Sequence, residues 1–186
     1  LSDLPGAAQP ARASRQTSDS FTADNLRITD ADYGRTLPLL RCTGCGFLFA
    51  DPDAAARLEQ LYDSLEDDGY VATEEARALQ LAGVLDRTVR AYGRTPRSLL
   101  DVGAATGLLV DYARGLGIDA LGVEPSASLA SLAQELDRPV VEGRWPLPAY
   151  EDRRFEVVTL VDVIEHVSDP VGLLETMADA LEPDGA

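Results

Sequence analysis

Two carboxylates and a run of small residues at alternate positions are the features of this chain that could do chemistry. Asp101 closes the apolar stretch that begins at Leu99, and Gly103, Ala105 and Gly107 follow it at intervals of two. Small residues at alternate positions strip bulk from a loop, so its backbone can lie against a nucleoside. A helix starting beyond Gly107 adds unpaired N–H groups at the same place. A second acid, Glu124, ends the apolar run Ala120 to Val123, 17 residues after Gly107. A βαβ unit returns its second strand end beside the first over that distance, so both acids are expected at one crevice.

Three further groups carry reactive atoms. Cys42 and Cys45 form a C-x2-C-G knuckle, a tight turn that aims two thiolates at one point. That is half of a structural zinc site, which takes four ligands, and residues 1–41 contain neither Cys nor His. Two readings stay open: a reduced, metal-free thiol pair, or a zinc site completed by a pair upstream of Leu1. His166, the one histidine, follows Glu165 just past a later apolar strand, where a neutral imidazole could take a proton.

The elements that must position these groups alternate regularly after Pro96. A strand over Ser98 to Val102 leads to a helix over Gly107 to Leu116, striped by Leu108, Leu109, Tyr112, Ala113 and Leu116. A strand over Ala120 to Glu124 leads to a helix opened by Pro125 and Ser126, with Leu129, Leu132, Ala133 and Leu136 inward. A short strand over Pro139 to Glu142 gives way to a loop holding Trp145, and Phe155 to Val161 reads as an apolar strand buried on both faces. Asp169 caps a last helix, with Pro170 in its first turn and Leu173, Leu174, Met177, Ala178 and Leu181 toward the core. The fold class is therefore α/β, a doubly wound, Rossmann-like, mostly parallel sheet.

Upstream, the pattern is less regular. Residues 1–37 read as a poorly ordered or peripheral arm, because the first twenty are nearly devoid of bulky apolar groups. Residues 38–53 hold the knuckle and the apolar Phe47, Leu48 and Phe49. Residues 54–95 form a helical connector, with one helix from Pro52 or Asp53 to Tyr62 and another from Glu74 to Tyr92, whose face carries Leu81, Leu85, Val89 and Tyr92. Tyr62 and Tyr70 read as packing aromatics. The nucleotide-cradling domain is expected over 96–186.

Composition removes several classes. The chain has 186 residues, 32 acids, 16 bases and a net charge of −16, and every base is arginine. Without lysine there is no Walker A loop and no Schiff-base or general-base lysine. Strong acidity opposes binding to a phosphate backbone, so no nucleic-acid partner is expected. No apolar run approaches the roughly 18 residues of a membrane span, so no membrane is expected either. Two cysteines and no charged, apolar leader point to the cytoplasm. The start at Leu rather than Met suggests a trimmed chain.

A nicotinamide fingerprint would put its third glycine at position 108, which is leucine, and its middle glycine at Ala105. The pattern instead resembles the class I S-adenosylmethionine-dependent methyltransferases. The likeness rests on DVGAATG at Asp101 to Gly107, GVEPS at Gly122 to Ser126, FEVVTLVDVIEHVSDP at Phe155 to Pro170 and LEPDG at Leu181 to Gly185. It covers 98–186, about half of the chain. The knuckle and connector are similar to those of a subgroup that includes sugar C-methyltransferases.

The resemblance implies S-adenosylmethionine as cofactor. Asp101 would organise the loop and face the amino-acid portion, with N–H groups from Gly103 to Gly107 beside it. Glu124, followed by Pro125, would accept from the ribose hydroxyls. Residues Glu142 to Trp145 would border the adenine, Trp145 by stacking. Val161 and Asp162 would lie near the methionine part, and His166 with Glu165 would serve the acceptor. The implied acceptor is a small molecule: a natural product, a sugar or a quinone-like compound. The alternatives are a non-catalytic nucleotide-binding module and an NAD-dependent oxidoreductase. A complete member would run on past LEPDG into further strands, so a fragment is expected.

Overall fold

The computed structural model describes residues 8–10, 37–62 and 74–186. Residues 63–73, with Tyr70 and the acids at 66–68, lie outside the described residues, as does most of the expected N-terminal arm. Within that arm, β1 (Ala8–Pro10) pairs antiparallel with β2 (Leu39–Cys42), which pairs antiparallel with β3 (Leu48–Ala50). The knuckle is the turn of the β2–β3 hairpin. Phe47 and Phe49 stack at 6.3 Å, and Phe47 stays largely exposed.

Helix α1 (Pro52–Tyr62) starts at a proline, with Asp51 Oδ1 accepting from the N–H of Ala54 at 3.0 Å. Helix α2 (Glu74–Tyr92) lays Leu85 into the core, flanked by Leu81, Val89 and Tyr92, as the spacing predicts. A central sheet follows: β4 (Ser98–Val102), α3 (Leu108–Gly115), β5 (Asp119–Glu124), α4 (Ala127–Glu135), β6 (Val140–Glu142), β7 (Val157–Leu160) and α5 (Pro170–Asp179). The strands are parallel in the order β6-β5-β4-β7, so the chain reverses direction across the sheet at β4. Such a reversal opens a crevice at the carboxyl ends of the strands.

Strand alternation divides the core into two layers. Leu99 and Ala120 face α2, α3 and α4, where Leu109, Val110, Ala113, Ala130 and Ala133 cover them. Leu100, Val102 and Val123 face the opposite way, onto Phe155, Met177 and Ala180, with Trp145, Leu147 and Tyr150 beside them.

Several expected core positions turn outward. Leu116 is 57% exposed and Leu136 is 47% exposed, because α3 and α4 end one residue earlier and left-handed residues, Gly117 and Asp137, turn the chain away. Leu174 and Ala178 are exposed because the inward seam of α5 is Leu173, Met177 and Ala180, which puts both a step round the helix.

The strand expected over 155–161 is shorter and not wholly apolar. Phe155 makes an isolated parallel bridge to Leu181, and Glu156 is a buried carboxylate. Arg94 donates to Glu156 at 2.7 and 2.9 Å, and Arg97 at 2.6 Å from both its backbone N–H and Nε. Those donors hold its carboxyl down at about 2, while burial works against them.

Candidate active site

The carboxyl ends of β4, β5 and β7 open into a cavity of about 580 Å³. The loop after β4 forms its floor. Gly103 has φ 77, and a Cβ there would lie 2.3 Å from Val163 Cγ2, so only glycine fits this approach. The next small residue, Ala105, takes φ 48, a left-handed conformation that costs an alanine roughly 1–2 kcal/mol. Its N–H is held in return by Glu124 Oε2 at 2.8 Å.

Glu124 joins the two halves of the crevice. It is 6% exposed, and its Oε1 accepts from the N–H of Ser126 at 2.8 Å. Each oxygen takes a backbone N–H bond, and the carboxylate lines the cavity. Ser126 Oγ in turn caps α4 by accepting from Leu129 N–H at 3.4 Å.

Of the residues singled out in the sequence, Gly103, Ala105, Glu124, Pro125, Trp145, Val161, Asp162 and His166 line this cavity. Asp101, Gly107, Glu142 and Glu165 do not. Asp101 lies beneath the loop on the α2–α4 side of the sheet, where it accepts from Thr159 Oγ1 at 2.7 Å. Burial, with Glu124 nearby, pushes its carboxyl up to about 7 although the Thr159 bond pulls the other way. Gly107 (φ 72) packs on Val140 and Arg138, and Glu142 and Glu165 are exposed.

His166 is half-buried in a single turn of 3-10 helix, Ile164–His166. Burial lowers its pKa below 6.5, while Glu165 and Asp162 pull it back. The imidazole is therefore largely neutral near pH 7, as a proton acceptor must be.

Gly143 and Arg144, within the span expected to border the ligand, line the cavity too, and it recruits residues the sequence reading did not assign to a site: Arg77 from α2, Leu129 from α4 and Thr176 from α5. Ser126 and Leu129 carried a local signal as cap and helix stripe, but Arg77 enters from an element 24 residues before Asp101. The connector helix itself is fastened by Arg138, which bonds the carbonyl of Thr106 at 2.9 Å and pairs with Glu74 at 2.8 Å.

The knuckle stands apart. Cys42 is buried and Cys45 exposed, and N–H groups of Cys45, Gly44 and Gly46, with the Cys45 side chain, lower the Cys42 thiol pKa. Among the described residues no third His, Cys, Asp or Glu joins them. Two donors do not make the four-ligand set of a structural zinc.

A glycine loop and an acid at adjacent parallel strand ends, at the point where the sheet reverses, define a nucleoside-binding α/β domain. The Methyltransferase domain family matches residues 74–186. The ubiquinone biosynthesis O-methyltransferase of Bradyrhizobium sp. (strain ORS 278) is 31% identical, over 73% of this chain and 59% of its own. The enzyme of the same name from Azorhizobium caulinodans is 30% identical, over 73% and 60%. Among solved structures, the plantazolicin methyltransferase BamL, complexed with a desmethyl analogue and S-adenosylhomocysteine, shares the fold at TM-score 0.57 and 17% identity, covering 70% of this chain and 55% of its own. A sugar N-methyltransferase from Streptoalloteichus sp. aligns at TM-score 0.53 and 25% identity, over 63% and 50%. The chain belongs to the class I S-adenosylmethionine-dependent methyltransferases. It spans about half to three fifths of the length of the curated relatives it matches.

Proposed function

We propose that the chain is the cofactor-binding part of an enzyme that methylates a small molecule: a natural product, a sugar or a quinone-like compound. The single observation that carries this is Glu124, a buried carboxylate that ends β5 and lines the cavity with both oxygens oriented by backbone N–H groups. A ribose offers two adjacent hydroxyl donors, the complement of that group. Family membership supports S-adenosylmethionine as the nucleoside. The names of the relatives, which refer to ubiquinone biosynthesis, plantazolicin and a sugar, support a small-molecule acceptor.

When bound, the cofactor supplies a methyl group on a positively charged sulfur, which an acceptor atom displaces in line. The residues of the chain do the rest. Gly103 and Ala105 admit the cofactor's backbone-hugging portion, and Glu124 fixes the ribose. Val161 and Asp162, at the end of β7, border the methionine end. His166 stands on the same rim and takes the proton of the acceptor's hydroxyl or amine as the new bond forms. Alignment and exclusion of water supply the remaining rate. Glu165 faces outward, and its part is electrostatic: it favours the protonated imidazole that results.

A cytoplasmic place of action belongs to the same proposal. It is supported by the two free thiols. Among the described residues no helix is long and apolar enough to cross a membrane.

Isothermal titration with S-adenosylmethionine, S-adenosylhomocysteine and NAD tests the reading. Micromolar binding of the first two and none of NAD is expected. Preference for NAD would replace it with an oxidoreductase. Binding without turnover on any sugar, aglycone or quinone would leave a nucleotide-binding module.

A further inference from the structure

Helix α2 meets the cavity only through its first turn. Its apolar contacts with the core begin at Leu81 and run on through Val84, Leu85, Val89 and Tyr92, whereas Arg77 is the residue it sends to the cavity wall. Hydrophobic packing therefore does not fix where the first turn sits. What touches it is Arg138, from the turn between α4 and β6, whose own N–H donates to the carbonyl of Ala133 at 2.9 Å. The stem of Arg138 crosses Gly107, where a Cβ would lie 3.1 Å from Arg138 Cβ and 3.4 Å from its Cδ, so the glycine leaves the path open. The guanidinium ends largely buried between two elements: it donates to the Thr106 carbonyl at 2.9 Å and pairs with Glu74 Oε1 at 2.8 Å, with Asp111 Oδ2 at 3.8 Å.

One cation thus joins the glycine loop to the turn that carries Arg77. A planar guanidinium presents its donors in a rigid fork, so it holds two acceptors at a set separation. Glu74 and Arg77 are three residues apart and share a helix face, so a displaced Glu74 takes Arg77 with it. We propose that Arg138 and Glu74 are positioning residues for the cofactor, a strut that sets the place of Arg77 against the glycine loop. Neither of the two lines the cavity, so both act through other groups. On the reading given above, the amino-acid end of the cofactor lies beside that loop, where a guanidinium held in place meets its carboxylate. The inference rests on that reading of the cavity as the S-adenosylmethionine site.

S-adenosylhomocysteine and methylthioadenosine separate this role from general support of the fold, because the second keeps the nucleoside and lacks the amino-acid end. Both are titrated calorimetrically into the parent chain, Glu74→Gln, Arg77→Ala and the double variant, and thermal melts establish that each is folded. Glu74→Gln is expected to weaken S-adenosylhomocysteine about three- to tenfold and to leave methylthioadenosine within about twofold. In the Arg77→Ala background the same replacement should cost nothing further, since two changes along one line of action do not add. Arg138→Gln, which leaves Glu74 without that cation, should show the same selective loss. Should Glu74→Gln melt early, Glu74→Asp, one methylene shorter, is put through the same cycle with the same pattern expected. An equal loss for both ligands, no loss for either, or a loss that persists undiminished in the Arg77→Ala background would overturn the strut and leave the cofactor site standing. Failure of the parent chain to bind S-adenosylhomocysteine would overturn both.

Discussion

Replacing Asp101 with asparagine should remove a pH dependence from the stability of the fold. In the folded chain Asp101 is buried and accepts one bond, from Thr159, and its carboxyl is raised from an ordinary 3.8 to about 7. A raised carboxyl stabilises the fold fully only below the unfolded value. Its contribution is lost as pH climbs from about 4 through 7, because the unfolded state gives up its proton first. A change of that size corresponds to about 4 kcal/mol, a large part of the 5–15 kcal/mol that holds typical domains together. Asparagine mimics the protonated acid, keeps an acceptor for Thr159 Oγ1 and does not titrate. The remaining titratable groups are common to both proteins, among them His166, whose lowered pKa acts in the opposite direction. The difference between the two proteins therefore isolates Asp101. Thermal or urea unfolding from pH 4 to 8 should show Asp101→Asn gaining on the parent by about 4 kcal/mol, equivalent to a rise in relative Tm of about 8–16 °C. Curves that stay parallel across this range would refute the buried, protonated state of Asp101.

Four other outcomes follow from the same geometry. Glu124→Gln turns an NH2 toward one of the two backbone N–H groups now bonded at 2.8 Å; S-adenosylhomocysteine affinity should fall at least tenfold by titration, with about 1–3 kcal/mol lost from the fold. His166→Gln should lower kcat about a hundredfold with an identified acceptor while the S-adenosylhomocysteine Kd stays unchanged, and full turnover would remove the histidine from the mechanism. Gly103→Ala combines φ 77 with a Cβ placed 2.3 Å from Val163 Cγ2, and urea unfolding should show the fold weakened by about 2–4 kcal/mol. Glu156, held at about 2 against an ordinary 4.5, contributes stability above 4.5 that is lost as pH falls toward 2; acid titration followed by circular dichroism should show that slope in the parent and its absence in Glu156→Gln.

What could be read in the sequence was whatever local chemistry decides. The caps at Ser126 and Asp169, the apolar face of α2, and the acid that ends β5 all depend on neighbours within a few residues. Glu156 was hidden because its partners Arg94 and Arg97 lie about sixty residues earlier. An acid at the mouth of an apolar run carries no mark of what will surround it. The direction of Asp101 was equally hidden. Strand alternation tells which residues share a face with Leu99, but not which side of the loop the ligand will use. Leu116 and Leu136 were misread for a different reason: periodicity sees a stripe continuing, whereas a left-handed residue immediately after each decides where the helix stops.

Arg138 gives two distant stretches of the chain a common fate. Its guanidinium is only 11% exposed and touches Glu74 at the first turn of α2, the Thr106 carbonyl in the glycine loop and, at 3.8 Å, Asp111 of α3. Losing either charge alone removes the nearest opposite charge from the other, partly buried one, which costs more than losing both. Drift at positions 74 and 138 is therefore constrained to occur in pairs. Among relatives that keep this connector helix, an acid at the first position should accompany arginine at the second, and the two should disappear together.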